Sequence, residues 1–228
     1  MRQIILDTET TGLDPAHGHR IIEVGCVEMV NRRFTGNNFH HYLNPERDSD
    51  EAALEVHGLT REFLADKPKF AEIGHELAEY VRDAEIIIHN APFDLAFLDA
   101  ELARLKLPKF RQHVASVTDS LVMAKEAHPG KRNNLNALCE RYGISNAHRT
   151  LHGALLDSTL LAEVYLAMTR GQDGLMMEAE SGSASAQLAD EPHVPLATFV
   201  VRASQDDAAA HLAVLAAIAK ETRAAAVW

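Results

Sequence analysis

Cysteine and tryptophan are scarce: two and one, respectively, in 228 residues. Cys26 and Cys139 have neighbours and a spacing that fit no zinc motif, so the sequence excludes a disulfide scaffold and a cysteine-built metal site. Basic charge is also short, with 22 Lys and Arg against 33 Asp and Glu and a net charge of −11. That balance argues against gripping nucleic acid by bulk positive charge. It leaves room for a nuclease whose bound divalent ions supply the local positive potential. There is no run of about 18 apolar residues and no signal-peptide pattern, so a reduced, cytoplasmic setting without a membrane is expected. From 171 to 201 Lys and Arg are absent altogether. What is present is ordinary for a soluble globular chain, 46% hydrophobic and 24% charged, long enough for one good-sized core with length left over.

Residues 3–8 form an apolar run that reads as a first strand, and Ile21 to Val30 reads as a second. Asn31-Arg-Arg33 makes a hairpin turn into a third strand over 34–43, so the chain opens as an antiparallel meander. After Pro68, Ile73, Leu77, Tyr80 and Val81 recur at helical spacing. Residues 84–89 then form a short buried strand, and Phe93, Phe97, Leu98, Leu102 and Leu105 mark a helix. Shorter helices are expected over 117–124 and 135–142, the second closed by Gly143. The longest helix of the main domain is expected over 152–168. This alternation predicts an α/β layer architecture over 1–170. The Gly-, Ser-, Ala- and acid-rich stretch at 171–200 reads as a flexible linker, and 201–228 as a C-terminal segment, helical over 208–219.

The chemistry starts at Asp7 and Glu9, two apart at the end of the first strand and therefore on one face. Like charges there repel and lose hydration, so they call for a cation. Asp94 falls in the first turn of a helix, just after a buried strand. His152 and Asp157 are five apart, about 500° on an ideal helix, so they do not share a face; His152 belongs on the approach to the helix, beside Gly153. Asp157 is in phase with Leu161, Val164 and Met168, which puts a carboxylate on the core-facing stripe. Four carboxylates from three segments are oxygen donors that suit Mg²⁺ or Mn²⁺ better than zinc. A pair of such ions can activate water against a phosphodiester, with a histidine taking the proton. The other histidines singled out, His40, His41, His89, His113 and His128, read as packing or surface residues, and Lys131-Arg132 as a solvated loop.

Asp7-Thr-Glu9, Asn90-Ala-Pro-Phe-Asp94 and His152-Gly-Ala-Leu-Leu-Asp157 resemble the three motifs of the DEDDh 3′→5′ exonucleases. Within that family the chain is most similar to the proofreading epsilon subunits of bacterial DNA polymerase III. Asn31–His40, Pro129–Leu135 and Arg149–Asp157 carry that likeness beyond the catalytic positions. The resemblance implies a ribonuclease-H-like fold with a mixed five-stranded sheet flanked by helices. It implies two divalent ions, Mg²⁺ or Mn²⁺. Asp7, Glu9 and Asp157 would hold the first, Asp7 would bridge to the second, Asp94 would support that one through water, and His152 would be the general base. Val56 and His57, on a loop, would meet the terminal nucleotide of a DNA 3′ end alongside Asp7, Glu9 and Asp157. The resemblance also implies docking of 201–228 on the polymerase alpha subunit. A sliding-clamp contact at Gln172–Met177 would be weak, because that stretch lacks the family's aromatic. Whether a small accessory subunit binds the nuclease domain stays open. Two rivals are a stand-alone exonuclease for RNA ends, which has little use for a linker and tail, and a non-catalytic scaffold, which has little use for all five site residues.

Overall fold

The computed structural model describes residues 1–147, 149, 151–170 and Val214. Contacts divide the chain into two units, Met1–Glu180 and Ser181–Trp228, and all the elements named below lie in the first. The linker expected at 171–200, the clamp contact at Gln172–Met177 and the docking segment at 201–228 lie outside the described residues, apart from Val214, which is helical.

One sheet forms the middle layer. β1 (Arg2–Thr10) pairs antiparallel with β2 (Ile21–Val30) along its whole length and parallel with β5 (Glu85–Ile88). β6 (Ser116–Asp119) adds parallel to β5. The free edge of β2 takes two short strands, β3 (Arg33–Phe34) and β4 (Phe39–Tyr42). The sheet thus has six strands in five positions, because the third strand expected over 34–43 breaks at Gly36, which has φ +80°. The turn between β2 and β3 is Asn31-Arg32, both at positive φ, the twist that a two-residue hairpin needs.

β1 is central, and Ile4, Ile5 and Leu6 are fully buried because both its faces are covered. Ile4 and Leu6 join Ile86 and Ile88 against α3 (Phe70–Tyr80) and α4 (Ala91–Arg104), through Phe70, Leu77, Phe97 and Leu98. Ile5, Val27 and Ile87 face the other way, against α6 (Leu135–Tyr142) and α7 (Ala154–Met168), through Leu138, Leu160, Leu161 and Val164. Each such side chain contributes about 1.5–3 kcal/mol on burial. Two clusters on opposite faces make a three-layer α/β/α sandwich, and they hold β1 rigidly so that its carboxyl end can carry a site.

Two expectations are corrected, and two helices were not expected. The helix expected over 117–124 is β6 followed by α5 (Ser120–Ala127): Val117 and Thr118 are β-branched and pair with the open edge of β5. The helix expected from His152 starts at Ala154, with extended Gly153 as its N-cap. Two helices went unseen between β4 and α3, α1 (Glu51–His57) and α2 (Arg61–Leu64), too short to show a helical period. Among the described residues no helix is long and apolar enough to cross a membrane.

Candidate active site

The β1–β2 register sets Asp7 opposite Gly25 and Glu9 opposite Glu23. Gly25 explains how α7 comes so near. A Cβ there would lie 2.2 Å from the backbone nitrogen of Leu155 and 2.3 Å from the carbonyl carbon of Ala154. Only a bare backbone lets the first turn of α7 rest on the sheet. The Ser158 hydroxyl then donates to the Gly25 carbonyl at 2.9 Å and fixes that seat. Asp157, in the same first turn, is carried over the end of β1 and is 4% exposed.

From the opposite layer α4 brings Asp94, 3% exposed, which accepts from the Thr8 hydroxyl at 2.7 Å. Asp119 fixes where α4 begins, accepting from the backbone N–H groups of Asn90 and Ala91 while also capping α5. Asn90 takes up the left-handed turn at φ 71° that swings the chain from β5 into α4. Asp7, Glu9, Asp94, His152 and Asp157 all line one cavity of about 580 Å³. The five residues expected at the site are thus brought together.

Within it Glu9, His152 and Asp157 offer ligand atoms that lie within 4.8 Å of one another. Asp7 and Asp94 stand outside that trio and are joined to it by charge. Burial, then Asp94, Glu9 and Asp157, raise the Asp7 carboxyl well above its usual range. Burial, Asp157 and Glu23 push Glu9 up to about 8. Burial pushes Asp94 up to about 7, although the Thr8 hydrogen bond opposes it. Carboxyls so crowded and dry favour a cation, and the all-oxygen set with one imidazole suits a hard divalent ion. The residues present therefore fit the metals that the motifs imply.

His152 does stand off the helix. Its backbone N–H donates to the Val56 carbonyl at 3.0 Å, and its side chain is 43% exposed. Its Nδ1 lies 2.9 Å from Nη2 of Arg149 and 3.4 Å from Oδ2 of Asp157. A guanidinium only donates, so Nδ1 accepts and the neutral ring carries its proton on Nε2. Burial and Arg149 lower the pKa of His152.

Arg149 belongs to a stretch that resembles the family, but its place in the site is not legible in the sequence. It donates from Nε and Nη2 to both oxygens of Asp157, at 2.5 and 2.6 Å, and is 6% exposed. Its partner lies eight residues on, in the first turn of α7, a separation that neither helical nor strand periodicity signals. Glu23 was also missed. It is 2% exposed, faces Glu9 across the strand pair, and is held at 2.8 Å by Nε2 of His40, which thus has a partner instead of packing idly. A charged residue in an apolar strand flanked by β-branched neighbours was the available signal. His89, read as a packing residue, also lines the cavity.

Val56 and His57 close the C-terminal turn of α1 instead of lying in a loop. His57 is 3% exposed and accepts from the Leu59 N–H at Nδ1, while its buried Nε2 has no hydrogen-bond partner among the described residues. Both line a second, more apolar cavity of about 360 Å³ that shares Thr8, Glu9, Leu13 and Phe93 with the first. Lys131 and Arg132 are exposed loop residues, as expected.

The exonuclease family model matches residues 4–165. The DNA polymerase III subunit epsilon of Escherichia coli (strain K12) is 52% identical over 230 residues, 96% of this chain and 94% of the relative. That of Haemophilus influenzae is 55% identical over 184 residues, 79% of this chain and 72% of the relative. Among solved structures, an Exonuclease X in complex with 5′ overhanging duplex DNA superposes with a TM-score of 0.58 at 24% identity, covering 74% of this chain and 92% of that one. An Escherichia coli exonuclease I–single-stranded DNA complex gives 0.66 at 19%, covering 79% and 43%. These two share the fold. The chain belongs to the exonuclease family, and within it to the epsilon subunits of DNA polymerase III.

Proposed function

We propose that this chain is a metal-dependent 3′→5′ exodeoxyribonuclease that proofreads replication within a bacterial DNA polymerase III. The observation that carries the reading is the meeting of Glu9, His152 and Asp157 within 4.8 Å, beside Asp7 and Asp94, in one cavity. Asp7, Glu9 and Asp157 would hold one Mg²⁺ or Mn²⁺ ion, and Asp7 with Asp94 a second. Such ions lower the pKa of a water and stabilise charge on the phosphate and the leaving oxygen.

The protein's own residues do the rest. The smaller apolar cavity at Val56, His57 and Phe93 accepts the terminal nucleoside and sets its phosphate over the carboxylates. His57 Nε2, buried with a proton to give, is placed to donate to that nucleotide. The backbone bond from His152 to Val56 ties the general base to the element that holds the substrate end. His152 takes the proton of the attacking water as the terminal phosphodiester is hydrolysed, releasing a nucleoside 5′-monophosphate. A mismatched end frays more readily and reaches this site more often, at a small unpairing cost.

The nuclease domain in this reading is 1–170, followed by a linker at 171–200. The segment 201–228 docks on the polymerase alpha subunit, and Gln172–Met177 makes at most a weak clamp contact. The test is digestion of matched DNA, mismatched DNA and RNA ends with Mg²⁺, by the unaltered chain and by Asp7→Ala. Asp7→Ala is expected to lose about 100- to 1,000-fold in rate with its fold intact. Equal activity in the variant would sink the assigned site, and a clear preference for RNA would overturn the substrate.

A further inference from the structure

We propose that Arg149 is a built-in counter-cation of the metal-free site, holding Asp157 and His152 until a divalent ion displaces it. The inference rests on reading the site as a divalent-metal site. The guanidinium is 6% exposed and engages two of the three groups that come within metal-binding reach of one another. It takes both oxygens of Asp157, at 2.5 and 2.6 Å, and Nδ1 of His152 at 2.9 Å. Both oxygens of Asp157 and Nδ1 of His152, acceptor atoms within a cation's reach, are therefore already engaged by one.

Charge sets this occupation against an ion. An ion held by Asp7, Glu9 and Asp157 would stand within roughly 5 Å of the guanidinium that sits on the Asp157 oxygens, given ligand bonds of about 2 Å. Lysine or histidine in that position could shed its proton when the ion arrived. Arginine cannot, so its charge opposes the ion for as long as the fork stays on Asp157. The cavity gives it room, since Arg149 lies on its wall. Its third arm gives it an anchor: Nη1 donates at 2.7 Å to Oδ1 of Asn136, on α6 and outside the acidic cluster. The fork can thus leave Asp157 while Asn136 keeps hold of one corner.

Displacement has a second consequence. While Arg149 donates to Nδ1, the unprotonated nitrogen of His152 is engaged and the ring has no free lone pair with which to accept a proton. Loading the site would release a metal ligand and the general base together. Without its ion the site is then both stabilised and chemically silent, so an unloaded chain resting on DNA has no competent base. Glu23 and His40, beneath Gly153, remain paired with each other and do not compete for Arg149.

The test compares the full chain with Arg149→Gln and Arg149→Lys, without DNA. Mn²⁺ binding is followed by titration calorimetry, and the melting temperature is recorded in chelator. Arg149→Gln is expected to melt lower in chelator, because Asp157 is left buried and unpaired. It is expected to bind Mn²⁺ at a half-saturating concentration about tenfold lower, the scale on which a neighbouring arginine shifts a carboxylate equilibrium. Arg149→Lys keeps the charge but loses the fork, so it should fall between the two; it also serves should the glutamine variant fail to fold. A half-saturating concentration that is unchanged or raised in these variants overturns the proposal, as does an unchanged melting temperature in chelator. Absence of Mn²⁺ binding by the unaltered chain instead overturns the metal reading on which the proposal rests.

Discussion

Burial and neighbouring carboxylates favour the protonated form of Glu9, and that has a sign that can be measured. Its pKa is pushed up to about 8 from 4.5, and that of Asp94 to about 7 from 3.8. A carboxyl raised on folding contributes stability that is fully present below its unfolded pKa and lost as pH rises through its folded one. The metal-free protein should therefore lose stability from about pH 4 upward until both groups have ionised near pH 8. A divalent ion favours the charged forms, so saturating Mg²⁺ should flatten or reverse that slope. Melting curves at pH 5, 6, 7 and 8, in chelator and in Mg²⁺, check this; parallel curves would mean that the two carboxylates do not meet the ion. Asp7, Glu9 and Asp157 were legible in the sequence because a carboxylate on an apolar stripe, or two together at a strand end, breaks a local pattern; Asp94, an acid in the first turn of a helix, took its role from the family resemblance. Arg149 and Glu23 were not legible in the same way. Their partners lie across folded chain, and an isolated charge in a linear sequence does not reveal what it will face.

At the scale of elements, the strands and long helices follow from burial. β1 and β2 read correctly because both faces are covered and their apolar runs are long, and α7 because its stripe extends over four turns. β6 was misread because four residues carry no period, and its assignment comes from the unpaired edge of β5. α1 escaped for the same reason of length, and with it the position of His57. The contact that no periodicity reveals is the seat of α7 on Gly25. A methyl group there meets backbone on α7, at 2.2 to 2.5 Å, and backbone cannot rotate away. Gly25→Ala should push the first turn of α7, and Asp157 with it, off the end of β1. The expected cost is about 1–3 kcal/mol of stability, the usual range for overpacking a core. The expected rate loss is about 100-fold, since a displacement near 1 Å suffices for that in a positioned site. Melting and single-turnover rates on a 3′ end check the two numbers. A variant that melts lower but cleaves at the original rate would show that α7 can shift without carrying Asp157.

For the whole molecule, charge and division into units bear on how it finds DNA. A chain with net charge −11 has little long-range attraction for a polyanion, so under the proposed function its affinity would come from the site, the ions it would hold and a partner that brings the DNA end to it. A C-terminal segment carried on the same chain would suit that arrangement. All five candidate site residues, and the two cavities and both core clusters formed by the described residues, lie within Met1–Glu180. Tethering to a polymerase would raise the effective concentration of the nuclease at the primer end to the millimolar range for a short flexible linker. Deleting 190–228 should therefore leave the rate on free single-stranded DNA within about twofold, since no site residue is touched. It should abolish co-purification with the alpha subunit and, with it, the preferential removal of mismatched ends by the assembled polymerase. Pull-down and primer-end digestion, measured on the same two proteins, separate the effects. Retained binding would move the docking surface onto the nuclease domain, and lost activity on free DNA would make the tail part of the catalytic unit.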